Sequence, residues 1–173
     1  ANIYSDIFFV AFKLPNLFRR IFAEGAFTQS FIPSFIISKN KSIFSTHILG
    51  YFLFFLLVAS LIVTLFSRLF AKMMAFGFDS HTLDLAAPFV AINFYYLPMI
   101  FVVTFLGSLL QYKQHFATTA FSTALLNISL ITALLLSKDF EKETIVYAMS
   151  YGVIAGGLLQ VIVHILMLRY TGL

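Results

Sequence analysis

Four stretches of this chain, residues 48–66, 85–110, 117–136 and 144–168, contain no Asp, Glu, Lys or Arg. Each is close to or longer than the ~20 residues with which an α-helix crosses a ~30 Å hydrocarbon layer. Backbone polar groups cannot stay unpaired at that depth, so such stretches fold as helices that satisfy their own hydrogen bonds. They are not the core of a water-soluble domain: 61% of the 173 residues are hydrophobic and 10% are charged, with a mean hydropathy of +0.97. A soluble domain of this length needs a charged surface that those proportions do not supply. The expected fold class is an all-α integral membrane protein, a bundle of about five transmembrane helices. There is no cysteine, and the four histidines have no metal-ligand spacing, so neither a cofactor nor a metal is expected. Nucleic acid is not an expected partner either. Ala1 opens the chain without an initiator Met or a basic segment leading into an apolar one, which reads as a piece of a longer protein.

The fifth expected span is the first in the chain, residues 5–37. It carries Lys13, Arg19, Arg20 and Glu24 and is interrupted by Pro15, Gly25 and Pro33. At ~1.5 Å per residue a straight helix of that length would overrun the membrane, so it should kink or tilt, with helix breaks at Pro15 and Gly25. Pro15 removes a backbone hydrogen bond, and such breaks persist at membrane depth where they border protein or a wet cavity. Each ionised side chain at the bilayer centre costs roughly 2.5–3.5 kcal/mol, so four facing lipid would cost on the order of 10 kcal/mol. At ~100° per residue Asp6, Lys13, Arg20 and Glu24 share one face, Arg19 is displaced by roughly 100° from Arg20, and Asn16 falls between them. Arg20 and Glu24, four apart, form an expected structural ion pair, which leaves Arg19 without a local partner. One reading has the basic residues snorkelling to the headgroups. Against it, the apolar stretch 26–37 follows before Lys39 and Lys41. The sharper reading is a cationic strip lining a water-filled cavity, where a guanidinium grips a phosphate in bidentate fashion. Arg19, Arg20, Asn16 and Lys13 are the candidate substrate-binding residues.

Loop charges orient the bundle. Lys39 and Lys41, Lys113, and Arg169 mark three cytoplasmic segments; Asp79 and Asp84, and the acidic 137–143 turn, mark the outer ones, with Arg68 and Lys72 as exceptions. Ala1 then lies outside and Leu173 inside.

The segment DIFFVAFKLPNLFRRIFAEGAFTQSFIPSF, residues 6–35, resembles the second-helix signature of the lipid II flippase family MurJ/MviN, within the superfamily of multidrug and polysaccharide exporters. TALLNIS at 123–129 and GGLLQ at 156–160 resemble the same family in the same order. The resemblance covers essentially the whole chain. It implies a multi-pass protein of the bacterial inner membrane that moves the undecaprenyl-pyrophosphate-linked peptidoglycan precursor outward by alternating access between two lobes. It implies that Arg19 matches the family's second-helix arginine facing the central cavity. It also implies that residues 1–173 are the amino-terminal lobe, family helices two to six of fourteen, without the first helix and the second lobe. The implied partners are lipid II, membrane lipid and the remaining helices of the same transporter. AFGF at 75–78 departs from the family, which has a proline in the second position.

Other features have plainer readings. Gly152 and Gly156 form a G-x-x-x-G pair suited to close internal helix packing. Asn127, Ser129 and Gln160 are expected to bond between helices, His164 to sit near the membrane interface, and Pro88 and Pro98 to kink the third span, residues 85–110. An enzyme reading has some support in membrane phosphatases acting on polyprenyl pyrophosphates: Lys13 and Arg20 stand in a K-x6-R relation, and Ser45-Thr46-His47 faintly resembles their serine-glycine-histidine element. It fails because Ile21 and Thr46 replace required residues and no arginine precedes a nucleophilic histidine with its aspartate. No enzyme activity is expected. The alternatives to lipid II transport are export of another undecaprenyl-linked saccharide and a non-transporting scaffold for cell-wall assembly.

Overall fold

A computed structural model describes residues 2–23 and 25–172 of the chain. Every regular element among them is helical: α1 (Ile3–Ala23), α2 (Ala26–Ile37), α3 (Lys41–Leu65), α4 (Ser67–Met74), α5 (Ser80–Phe94), α6 (Tyr96–Tyr112), α7 (Ala117–Ser137) and α8 (Lys142–Tyr170). Four stretches are long and apolar enough to cross a membrane: α3, α5 with α6, α7 and α8. α1 and α2 make up the charged first segment.

Helix starts follow side-chain chemistry. Asn2 Oδ1 accepts from the N–H groups of Tyr4 and Ser5, Asn40 Oδ1 from that of Ile43, and Asp79 Oδ1 from that of Thr82. Each satisfies donors that the first helical turn leaves unpaired. The Thr82 hydroxyl and N–H hold the Asp79 carboxyl below its usual range. Because the folded-state value is depressed, this cap contributes fully above the ordinary carboxylate range and is lost as pH falls through the lowered value.

The first segment breaks at one of its two expected points. Gly25 has φ +88°, a left-handed conformation that suits glycine, and it separates α1 from α2. Pro15 does not end α1, which runs through it without interruption. The expected break there is corrected by packing: Pro15 is fully buried and shares a small apolar cavity with Ala11, Leu14, Val63, Phe70 and Val90. One missing backbone bond is offset by contacts on three other helices. The third span shows the opposite case. It divides at Tyr95, just before Pro98, which has no N–H for the Phe94 carbonyl and whose ring crowds that carbonyl. In the first turn of α6 the missing donor costs little, while Pro88 is accommodated inside α5.

Two cores hold the bundle. One joins Ile7 and Ala11 of α1, Leu83, Ala86 and Phe89 of α5, and Val146 and Val153 of α8. The other is aromatic. Phe27, Phe31 and Phe35, spaced four apart on α2, stack in sequence with centroids 5.3 and 5.4 Å apart, and Phe31 meets Phe44 of α3 and Phe105 of α6. α7 and α8 pack most extensively. A Cβ on Gly152 would lie 3.0 Å from Ala133 Cβ, and one on Gly156 2.9 Å from Leu126 Cδ1. Ser129 Oγ donates to the Gly152 carbonyl at 2.7 Å across the same seam. The G-x-x-x-G pair therefore serves internal packing. By contrast α3 turns Phe54, Leu61 and Leu65 outward, which only a lipid environment accepts at such density.

The aromatic core gathers Phe35, Phe44, Tyr112 and Leu168, so the segments bearing Lys39, Lys41, Lys113 and Arg169 meet at one end of the bundle. The start of α5 meets the start of α8 at the other, where the Phe89 and Tyr147 rings are 4.5 Å apart. Arg68 at this acidic end is neutralised locally: its Nε donates to Asp84 Oδ1 at 2.7 Å and its Nη2 to Ser80 Oγ at 2.6 Å. If the positive-inside asymmetry orients the bundle, Lys41→Cys is expected to be shielded from an impermeant thiol reagent added outside cells, and Asp79→Cys to react. The reverse pattern would invert the topology.

Candidate functional site

α1 presents its polar residues on two adjoining surfaces. Ile7, Ala11 and Pro15 form its buried stripe. On the opposite side Lys13, Asn16 and Arg20, with Phe9, Phe12 and Leu17, form an open face to which no other described helix contributes. Lys13 and Arg20 are exposed. Seven residues apart on a 3.6-residue period, they point the same way.

Arg19 is not part of that face. It sits half-buried at the seam and lines a second, narrower cavity of about 90 Å³ between α1, α2, α6, α7 and α8. Its Nε and Nη2 both donate to Asn16 Oδ1, at 3.2 and 2.8 Å. The expectation that Arg19 lacks a local partner is thus corrected: an amide three residues earlier occupies two of its five N–H donors and fixes the plane of the guanidinium. Three N–H groups remain. The expected Arg20–Glu24 pair lies outside the described residues.

The inner cavity has a polar wall made of uncharged residues. Thr28, Thr104, Thr119, Ser122 and Gln160 line it together with Arg19. Gln160, almost fully buried, accepts from the Tyr96 hydroxyl at 3.0 Å, while its Nε2 donates to Ser122 O at 3.0 Å and Ser122 Oγ at 2.7 Å. Thr28 and Ser108 hydroxyls are 2.7 Å apart. Every bonding atom of the Gln160 amide is used, so the wall is rigid and presents hydroxyls to the cavity. Gln160 and Ser129 bond between helices as expected, whereas Asn127 is exposed on α7. His164 is buried inside the bundle: it is 0% exposed, with Nδ1 2.7 Å from the Gln160 carbonyl and Nε2 3.5 Å from Thr119 Oγ1. α8 continues to Tyr170, which leaves His164 beneath α6 and α7.

Sequence reasoning missed Asn93. Fully buried on α5, it donates from Nδ2 to Phe89 O and Ser150 Oγ, both at 2.9 Å, and its Oδ1 has no partner among the described residues. Its signal was present: it is the asparagine inside the uncharged 85–110 stretch. The threonines of the inner cavity had no such signal, because threonine is common in helices that bury nothing polar. Ser45, weighed for the phosphatase reading, donates to the Lys41 carbonyl at 2.6 Å, and His47 is exposed beside Tyr51.

An all-helical bundle with four stretches long and apolar enough to cross a membrane defines an integral membrane protein. The sequence profile of the family "Lipid II flippase MurJ" matches residues 1–173. A Helicobacter pylori protein described as a probable lipid II flippase MurJ is 53% identical over 173 residues, 100% of this chain and 38% of the relative. The lipid II flippase MurJ of Burkholderia cenocepacia is 33% identical over 175 residues, 95% of this chain and 33% of the relative. The solved structure of a lipid II flippase MurJ in an inward closed conformation superposes with a TM-score of 0.83 at 21% identity, over 94% of this chain and 36% of that one, and shares its fold. The chain belongs to the lipid II flippase MurJ family, and it spans about 38% of the length of the Helicobacter relative.

Proposed function

We propose that the chain forms the amino-terminal, substrate-gripping lobe of a flippase in the bacterial inner membrane, which moves lipid-linked peptidoglycan precursor from the inner to the outer leaflet by alternating access. The observation that carries this reading is the placement of three basic groups along α1. Lys13 and Arg20 lie on the open face of α1 among the apolar side chains of Phe9, Phe12 and Leu17, and Arg19 stands beside it with its guanidinium oriented by Asn16. Such a surface replaces the hydration of a pyrophosphate by charge-assisted hydrogen bonds while the polyprenyl tail stays in lipid. No bond is made or broken. The work is binding in one orientation and release in another, with the other helices of the transporter supplying the opposing wall.

The test is translocation of fluorescently labelled lipid II by the purified complete protein in vesicles. Outward movement faster than in protein-free vesicles supports the reading. Movement of a different undecaprenyl-linked saccharide alone would shift the substrate, and binding without movement of either would favour the scaffold. Since the chain spans about 38% of its Helicobacter relative, the 173 residues expressed alone are not expected to restore growth to cells depleted of their flippase. Rescue by this chain alone would refute a requirement for two lobes.

A further inference from the structure

We propose that α4 is an interfacial helix lying in the headgroup layer of the leaflet at the Asp79 end, and that Lys72 on it binds anionic phospholipid headgroups. At ~1.5 Å per residue its eight residues extend about 12 Å, too short to cross the hydrocarbon layer. It presents three faces. Ala71 is fully buried and Phe70 packs against the core. Leu69 and Met73, each 55% exposed, form a second face, flanked by Phe66 and the 82%-exposed Phe76. Arg68 and Lys72, four residues apart, form the third.

The apolar face continues the outward surface of α3, where Leu61, Ile62 and Leu65 are exposed. Placed in water, α4 would leave an apolar patch uncovered; placed in hydrocarbon, it would strand the Lys72 ammonium beside the Arg68–Asp84 pair. Both are satisfied where acyl chains meet headgroups, the setting that amphipathic helices with basic polar faces occupy. The two cations are not equivalent. Arg68 is held by Asp84 and Ser80 and so clamps α4 to the first turn of α5. Lys72 has no hydrogen bond or ion pair among the described residues and is exposed beside the lipid-facing side chains. A compact ammonium at that depth is complementary to a lipid phosphate that carries net negative charge. The inference is independent of the flippase reading and of which leaflet lies at this end.

Met73→Cys in a cysteine-free background of the complete protein, labelled with an environment-sensitive fluorophore and reconstituted in mixed phosphatidylcholine and phosphatidylglycerol vesicles, provides the test. The label is expected to be quenched by lipids carrying a shallow acyl-chain nitroxide and little by aqueous iodide. Nitroxide phosphatidylglycerol should quench more than nitroxide phosphatidylcholine at the same mole fraction, by up to about fivefold in apparent local enrichment. That preference should vanish with Lys72→Gln and persist with Lys72→Arg. A label open to iodide and untouched by either lipid would overturn the interfacial placement. Equal quenching by the two lipids with Lys72 present, or a preference that survives Lys72→Gln, would overturn the headgroup contact.

Discussion

Arg19→Ala, made in the complete protein, is expected to abolish or severely reduce flipping while leaving membrane insertion intact. The guanidinium contributes nothing to the buried stripe of α1, which is built from Ile7, Ala11 and Pro15. Hydrogen bonds to charged groups contribute about 1.5–3 kcal/mol each, so loss of a single one should cost on the order of 10- to 100-fold in substrate binding, and loss of a bidentate pair more. Arg19→Lys should recover little. An ammonium keeps the charge but cannot both bond Asn16 through two nitrogens and hold two phosphate oxygens in a plane. Asn16→Ala should reproduce part of the defect, because it removes the acceptor that sets the guanidinium plane at 2.8 and 3.2 Å. Arg20→Ala should be milder, since that side chain is exposed on the open face of α1 where solvent screens it. Complementation at matched membrane levels checks the series. Normal growth with Arg19→Ala and failure with Arg20→Ala would transfer the phosphate-facing role to Arg20.

The largest stability effect is expected at Gly156. Any Cβ there would approach Leu126 Cα to 3.1 Å and Leu126 Cδ1 to 2.9 Å. A side-chain carbon can rotate away, but the Leu126 backbone cannot move without prising α7 from α8. Gly156→Val should therefore destabilise by about 1–3 kcal/mol or more, as overpacking does elsewhere, and lower the midpoint of unfolding in detergent. Gly50→Ala is the matched control. That position on α3 has nothing within 4 Å of a new Cβ, and replacing an interior helical glycine should stabilise by roughly 0.5–1 kcal/mol. Equal midpoints for the two variants would show that the α7–α8 seam is not close-packed at Gly156.

The class of fold was legible in the sequence because a bilayer imposes so few solutions. An uncharged apolar stretch of about twenty residues can only be a helix there, so the spans could be read from 48–66, 85–110, 117–136 and 144–168 with no knowledge of their neighbours. The helix break at Gly25 and the basic groups on α1 were legible for the same reason: each is costly unless a particular geometry accommodates it. Tertiary structure decided what depends on a partner element. Pro15 keeps its helix because three other helices pack against it, while Pro98 sits where its span divides, and local sequence does not distinguish the two cases. Arg19 and Arg20 are adjacent in sequence yet serve different surfaces, since the ~100° between them spans the seam where α6, α7 and α8 close over one side of α1. His164 is buried because α6 and α7 cover it, which its distance from the chain's basic end does not reveal. Helical period and hydropathy are properties of one segment at a time; burial, bond partners and the side of a seam belong to pairs of segments, and those were settled only when the eight helices packed.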